Sequence, residues 1–271
     1  TESLDGVAEF RGSKYLQSEI GECYKEAESL LKQGRRVLFS GTPCQIRALK
    51  CYLRRDYDTL FLVDPICHGV PSPKVWQHHL KEVGKEVGEG AAICGVNFRD
   101  KRSGWRSYSH TLNFVSNEGK IEWSRPYNSV PFMRLFLADY TLRPSCYNCK
   151  AKAGSSGSDI TIADCWGIHK TKTQIDYNRG ATLVILHNGK YEEYFSQNPR
   201  SEFSQRLIRK YNPSYYKSPH RPADRDELFT LLDSGATLSE LAAKYAPTKK
   251  GFKRRMEIML KSVKLLLTPK K

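Results

Sequence analysis

Residues 35–44 read Arg-Arg-Val-Leu-Phe-Ser-Gly-Thr-Pro-Cys, and the change of character inside them decides the fold. Arg35 to Gly41 hold a short apolar run that stops at glycine, the pattern of a buried strand. Thr42 can then cap a helix whose first position suits Pro43, because proline lacks an N–H that would go unbonded there and its φ is already helical. That helix is expected to run to about Arg54. Residues 59–64, Thr-Leu-Phe-Leu-Val-Asp, repeat the apolar run, and Ser72-Pro73 repeats the capped start ahead of Val75–Glu86. Strand, helix, strand, helix at this spacing is the grammar of a βαβ unit.

Outward from this unit the pattern changes. From Ala91 to about Trp123, β-branched and aromatic residues alternate with turn chemistry at Asp100–Gly104 and Asn117-Glu118-Gly119, which predicts antiparallel strands. Residues 129–139 read as helix, 143–158 as a loop, and 159–163 and 181–187 as strands. A Pro-rich linker at 213–222 leads to two short helices over 225–245 about Ser234-Gly235, and a basic helix is predicted over 251–267. The fold class is therefore mixed α/β, a βαβ-type sheet with antiparallel additions and a small C-terminal helical region. Two domains are expected, residues 1–212 and 213–271.

At 271 residues the chain can bury a core without disulfides or metal to hold it together. Its 44 Lys and Arg against 29 Asp and Glu give a formal charge of +15, which favours an acidic partner: nucleic acid, an anionic membrane or an acidic electron carrier. Residues 249–271 alone hold nine Lys or Arg and one acid, Glu257. Within them Phe252, Met256, Met259, Val263 and Leu266 form an apolar stripe opposite Lys253, Arg254, Lys261 and Lys264, so peripheral membrane contact through this helix joins docking and partner binding as a reading. No stretch reaches the roughly 18 apolar residues of a membrane span, and no leader pattern opens the chain. A cytoplasmic location is expected. The chain opens on Thr1 rather than Met, compatible with sequence upstream.

Eight cysteines, read for a reducing compartment, point to metal or redox work rather than disulfides. Cys44 follows the first predicted strand and Cys67 the second, so neighbouring parallel strands would bring both thiols to one carboxyl edge, where open α/β sheets place ligands. Cys44 also falls at a helix N-terminus, which favours an anionic sulfur. Cys146-Tyr-Asn-Cys149 adds a pair that one short loop can aim at one centre. Cys44, Cys67, Cys146 and Cys149 then form a four-thiolate set for a [4Fe-4S] cluster. Spacing does not separate iron from zinc: the loop pair with His68 or Cys165 would make a zinc site. Cys23, Cys51 and Cys94 read as small buried hydrophobes, and His78 and His79 as solvated or half-buried on their helix.

Four blocks then occur in order: Gly41-Thr42-Pro43-Cys44-Gln45; Val63-Asp64, then Ile66 to Trp76; Leu142-Arg143-Pro144-Ser145-Cys146-Tyr147 with Cys149; and Ser158 to Ile162, with Asp164 and Trp166-Gly167-Ile168. Together with Phe98-Arg99, Lys101 and Gly104-Trp105, they resemble the C-terminal domain of the coenzyme F420 hydrogenase/dehydrogenase beta subunit family, over about residues 10 to 190. The resemblance implies an iron-sulfur flavoprotein oxidoreductase, with noncovalent FAD beside the four-iron cluster on the same four cysteines. Its flavin would exchange hydride with coenzyme F420 or a similar soluble substrate. The ferredoxin-like segment that many members carry upstream is not in this sequence, so a separate ferredoxin-like or other electron-carrier protein is the implied partner. Cys165 stands where an aromatic is expected and Pro65 where an apolar residue is commoner.

A flavin pyrophosphate calls for helix N-termini, backbone N–H groups and cations. Thr42 with Gln45, the turn at Gly69, Arg99 and Lys101 are candidates, although Arg99 and Lys101 also read as solvated charges at a turn. Trp105 could flank the flavin ring, or simply pack in the core. His68 could tune the cluster or protonate substrate, and Asp164 could bind ribose or a flavin edge, with a structural hydrogen bond as the plain reading of each. The contrasting function is a zinc-stabilised nucleic-acid-binding or interaction protein without redox activity. Nucleic acid is discounted because Leu238–Tyr245, the second helix of the 225–245 pair, carries only Lys244, whereas a reading helix needs more cations.

Overall fold

The computed structural model describes residues 1–7, 10–171, 177, 180–196 and 201–248; the basic helix expected over 251–267 lies outside them. In chain order the elements are α1 (Leu4–Val7), α2 (Cys23–Lys32), β1 (Val37–Ser40), α3 (Pro43–Leu53), β2 (Leu60–Pro65), α4 (Pro73–Val87), β3 (Ala92–Asp100), β4 (Ser109–Ser116), β5 (Gly119–Pro126), α5 (Pro131–Leu137), β6 (Ile160–Asp164), β7 (Thr182–Leu186), α6 (Glu193–Ser196), α7 (Gln205–Tyr211), α8 (Arg225–Asp233) and α9 (Leu238–Tyr245). They fall into two compact units, each built from separated stretches of chain.

One unit comprises Leu16–Val70 and Arg143–His220. Its sheet runs β1-β2-β6-β7, with β1, β2 and β6 parallel and β7 antiparallel to β6. The predicted βαβ unit is β1-α3-β2. Helices α2 and α3 bury Ala27, Leu31, Ile46, Leu49 and Leu53 against Leu60 and Leu62, with Val37 and Phe39 packed beside them. The start of α3 follows from its sequence: Pro43 takes the first position, and Thr42 and Gln45 form a capping box in which the Thr42 backbone N–H donates to Gln45 Oε1 at 2.9 Å. A side chain on Gly41 would press on this cap, its Cβ lying 3.2 Å from Gln45 Oε1. The helix ends at Leu53, with Arg54 in a left-handed cap.

The other unit comprises Thr1–Tyr15, Pro71–Leu142 and, among the described residues, those from Arg221 to Thr248. Its sheet is the expected antiparallel β3-β4-β5. Val75, His79 and Val83 are the buried residues of α4, and Trp76, Phe98, His110, Trp123 and Phe132 surround His79 in one aromatic cluster. The buried side of α5 packs against α9, where Arg134 donates to the carbonyl of Ala242 (2.7 Å), which also takes the Ala246 N–H, and to that of Ala246 (3.0 Å from Nε) just past the helix end.

Two readings need correction. Cys23, Cys51 and Cys94 are exposed, not buried: leucine, isoleucine and alanine already fill the inner stripes of α2 and α3, which carry Cys23 and Cys51, and Cys94 lies in the exposed first half of β3. His79, expected solvated or half-buried, is only 2% exposed, since it lies four residues from Val75 and from Val83 on the inner face of α4.

Candidate functional site

Every proposed cysteine ligand belongs to the unit with the parallel strands. Cys44 is the second residue of α3, directly after β1, and Cys67 follows the end of β2 by two residues. Since β1 and β2 are parallel neighbours, both thiols emerge at one sheet edge. Cys146 is buried within a 3-10 turn over Pro144–Asn148, and Cys149 is half-buried where that turn ends.

Cys67 lies within electrostatic reach of the other three thiols. Burial pushes its thiol up to about 11; the ammonium of Lys152 pulls the other way, and the thiols of Cys146, Cys44 and Cys149 each add to the rise. Cys165 is different, since burial alone raises it to about 11. Among the described residues, no three His, Cys, Asp or Glu side chains converge on a point as the ligands of one ion do.

Donors surround the sulfurs. The Arg143 guanidinium approaches Cys44 Sγ at 3.9 Å, the Ala151 backbone N–H donates to Cys149 Sγ at 3.4 Å, and Thr42 Oγ1 lies 3.2 Å from Cys44 Sγ. Lys152 Nζ bonds the carbonyls of Cys67 (2.6 Å) and Ser214 (2.8 Å), tying the loop after Cys149 to the strand end carrying Cys67. The Cys149 backbone N–H donates to Ser218 Oγ at 3.0 Å. A small cavity beside Cys67 is lined by Asp64, Lys152, Thr161, Ser214 and Tyr215 among others. Asp64, 1% exposed, accepts from Thr161 Oγ1 at 2.5 Å, and Thr161 Oγ1 lies 2.8 Å from His187 Nε2. A hydroxyl that donates to Asp64 must accept from the ring, which sets the donating nitrogen of His187. Gly154 closes the wall with a φ of 78°, and a Cβ there would lie 3.0 Å from the His187 ring.

The remaining predicted residues divide between the units. His68, next to Cys67, has Nδ1 3.4 Å from Ser214 Oγ. Asp164 ends β6, its carbonyl held by Asn212 Nδ2 at 2.9 Å. Gln45 is buried, its carbonyl taken by Thr42 and its amide by Ser18, and Gly69 adopts a φ of 153°. Arg99, Lys101 and Trp105 belong to the other unit. Arg99 is not a solvated charge: it is 8% exposed, lies over the Tyr108 ring at 4.6 Å and reaches the Trp105 carbonyl at 3.4 Å. Trp105 is 3% exposed, and Lys101 is exposed on a 3-10 turn. Sequence reasoning passed over Arg143, Lys152 and the Asp64-Thr161-His187 chain. The available signal was the placing of two cations just outside Cys146 and Cys149.

The family described as the C terminus of the coenzyme F420 hydrogenase/dehydrogenase beta subunit matches residues 34–204, more than half of the chain. The chain belongs to this family. The match spans all four cysteines of the quartet and ends before α7. Membership marks an oxidoreductase-related protein, and a family whose members serve in multi-protein complexes implies redox partners. No curated protein matches the chain. Among the described residues no helix is long and apolar enough to cross a membrane.

Proposed function

We propose that this chain is an FAD-dependent iron-sulfur oxidoreductase. It would pass electrons between a [4Fe-4S] cluster on Cys44, Cys67, Cys146 and Cys149 and a bound FAD, which exchanges hydride with coenzyme F420 or a similar soluble substrate. The observation carrying this reading is that Cys67, just past the end of β2, lies near enough to the Cys146 and Cys149 thiols of the loop and the Cys44 thiol of the helix start for all three to add to the rise that burial causes. The donor set fits a cluster: four thiols, backbone and guanidinium N–H groups aimed at two of the sulfurs, and a helix N-terminus behind Cys44. A single tetrahedral zinc would draw its sulfurs to within about 3.8 Å of one another, given a Zn–S bond of about 2.3 Å, whereas four irons, one to each sulfur, hold them wider apart.

When bound, the cluster moves single electrons and FAD one or two, which joins one-electron carriers to hydride chemistry. The protein's share is placement. Lys152 fixes the Cys67 strand end against the loop, and the capped start of α3 holds Cys44 at the same edge. His68 and Asp164 are the proposed proton-handling and orienting residues near the redox groups. The proposed FAD contacts are those read from the sequence: Thr42, Gln45, Gly69, Arg99, Lys101 and Trp105. Residues 1–212 are assigned the redox role and 213–271 that of a helical extension, with a separate electron-carrier protein as donor or acceptor.

The test is the visible spectrum of anaerobically purified protein, with iron, zinc and released flavin quantified on one sample. Flavin bands over a broad iron-sulfur shoulder, with about four irons per chain, are expected. A colourless protein with one zinc would overturn the proposal and favour the zinc-stabilised binding protein.

A further inference from the structure

Arg143 lies one residue beyond Leu142, and its backbone N–H donates to the Val70 carbonyl at 2.9 Å, so the main chain fixes its position next to the segment that carries Cys67. Its guanidinium is divided three ways. One terminal nitrogen donates to Gln17 Oε1, the other approaches Cys44 Sγ at 3.9 Å, and the buried Nε has no partner among the described residues. A guanidinium offers its N–H groups in a rigid fork, and a buried N–H without an acceptor costs free energy. The fork is thus held beside a sulfur with donor capacity to spare. The Cys44 sulfur is the acceptor its surroundings offer.

We propose that Arg143 is a charge-setting and positioning residue for the four-thiolate centre. It donates toward the Cys44 sulfur and places a fixed cation beside the cluster, so that the one-electron reduced state is favoured. This rests on the iron-sulfur reading above. The step is a single electron taken up from the carrier protein, with no proton and no bond made or broken. A four-thiolate cluster is already anionic and gains a further negative charge on reduction, so a nearby cation stabilises the reduced form more than the oxidised one. Gln17 is the anchor: by holding the first terminal nitrogen it points the second at Cys44. The cation on Lys152 acts on Cys67 in the same sense, so the charge environment is built from two loop residues flanking the Cys146–Cys149 pair.

The experiment is a potentiometric titration of the anaerobically reconstituted full chain with dithionite, followed by low-temperature EPR of the reduced cluster and with iron counted on every sample. Arg143→Gln removes the charge and Arg143→Lys keeps it. For Arg143→Gln the reduction equilibrium is expected to shift at least tenfold toward the oxidised cluster, about 59 mV for one electron, while Arg143→Lys stays nearer wild type. Gln17→Ala, which frees the fork but retains the charge, should give a smaller shift of the same sign. If Arg143→Gln loses its cluster and Arg143→Lys retains it, the charge is required and the proposal stands. If both lose it, or if Arg143→Gln keeps the wild-type potential, the proposal is overturned. Failure of wild type itself to bind four irons would overturn the iron-sulfur reading instead.

Discussion

Acidification should destabilise this protein through two histidines that no proposed chemistry uses. His79 and His110 face each other with Nε2 atoms 3.1 Å apart, 2% and 0% exposed, inside the aromatic cluster. One ring must donate and the other accept, so the contact is lost once both rings carry a proton on each nitrogen. Burial pushes His79 down to about 3, helped by His110, and burial alone pushes His110 down to about 4. The folded state therefore refuses protons that the unfolded chain accepts below about pH 6.5. The stabilisation is complete above that pH and is lost as pH falls through the window toward about 4 and 3. At pH 5 each histidine should cost about 2 kcal/mol, the 1.5-unit gap to its unfolded value at about 1.4 kcal/mol per unit, so the pair costs about 4 kcal/mol. Urea unfolding monitored by tryptophan fluorescence between pH 7.5 and pH 5 would measure the loss. The double variant His79→Leu with His110→Leu, which keeps apolar bulk and removes both titrations, should lose much less over the same interval. An equal loss in wild type and double variant would refute the argument.

Other outcomes follow from particular contacts. Cys67→Ser and Cys146→Ser should each lower bound iron and bleach the iron-sulfur absorption, whereas Cys165→Ser, whose thiol is raised by burial alone, should leave both unchanged. Phe132→Ala removes a fully buried ring stacked on His79 and should cost about 3–5 kcal/mol in urea unfolding. Arg134→Gln loses the bonds to the Ala242 and Ala246 carbonyls and should lower stability by about 1.5–3 kcal/mol, the range for charged hydrogen bonds, visible as a reduced urea midpoint.

The first βαβ unit was legible because its signals are local. Val37–Ser40 is a run of mostly apolar residues, Thr42-Pro43 is a helix start by its chemistry, and Leu60–Pro65 repeats the run. The antiparallel strands could be read for the same reason, from turns at 101–104 and 117–119. What failed was inference from residue type alone. Cysteine is usually buried, yet Cys51 falls off the stripe made by Ile46, Leu49 and Leu53 and is exposed. Histidine is usually half-wet, yet the spacing Val75, His79, Val83 assigned it to the inner face, a period that could have been counted. Of the candidate site, the cysteine spacing was visible and so were the two cations flanking the Cys146–Cys149 pair, but not what those cations face. Nothing local tells that Arg143 turns toward Cys44, ninety-nine positions earlier, or that Thr161 joins Asp64 to His187. The same holds for the chain from Arg221, which shares a unit with Pro71–Leu142 through contacts across long separations.

The order of the segments bears on how the protein is made. Residues 71–142 interrupt the unit that carries the thiols, and the interruption is neatly closed: Val70 and Arg143 are hydrogen-bonded within one unit, and Pro71 and Leu142 form a bridge within the other. During synthesis Cys44 and Cys67 leave the ribosome well before Cys146 and Cys149. The stretch between them holds all three strands of its own antiparallel sheet, and its ends Pro71 and Leu142 meet within that unit. Loop closure over such a distance costs entropy that grows only slowly with length, and the Pro71–Leu142 bridge holds the ends of the inserted stretch together in the folded chain. Until Cys146 and Cys149 emerge the nascent chain offers only two of the four proposed ligands, so the proposed set is complete only after residues 71–142 have been synthesised.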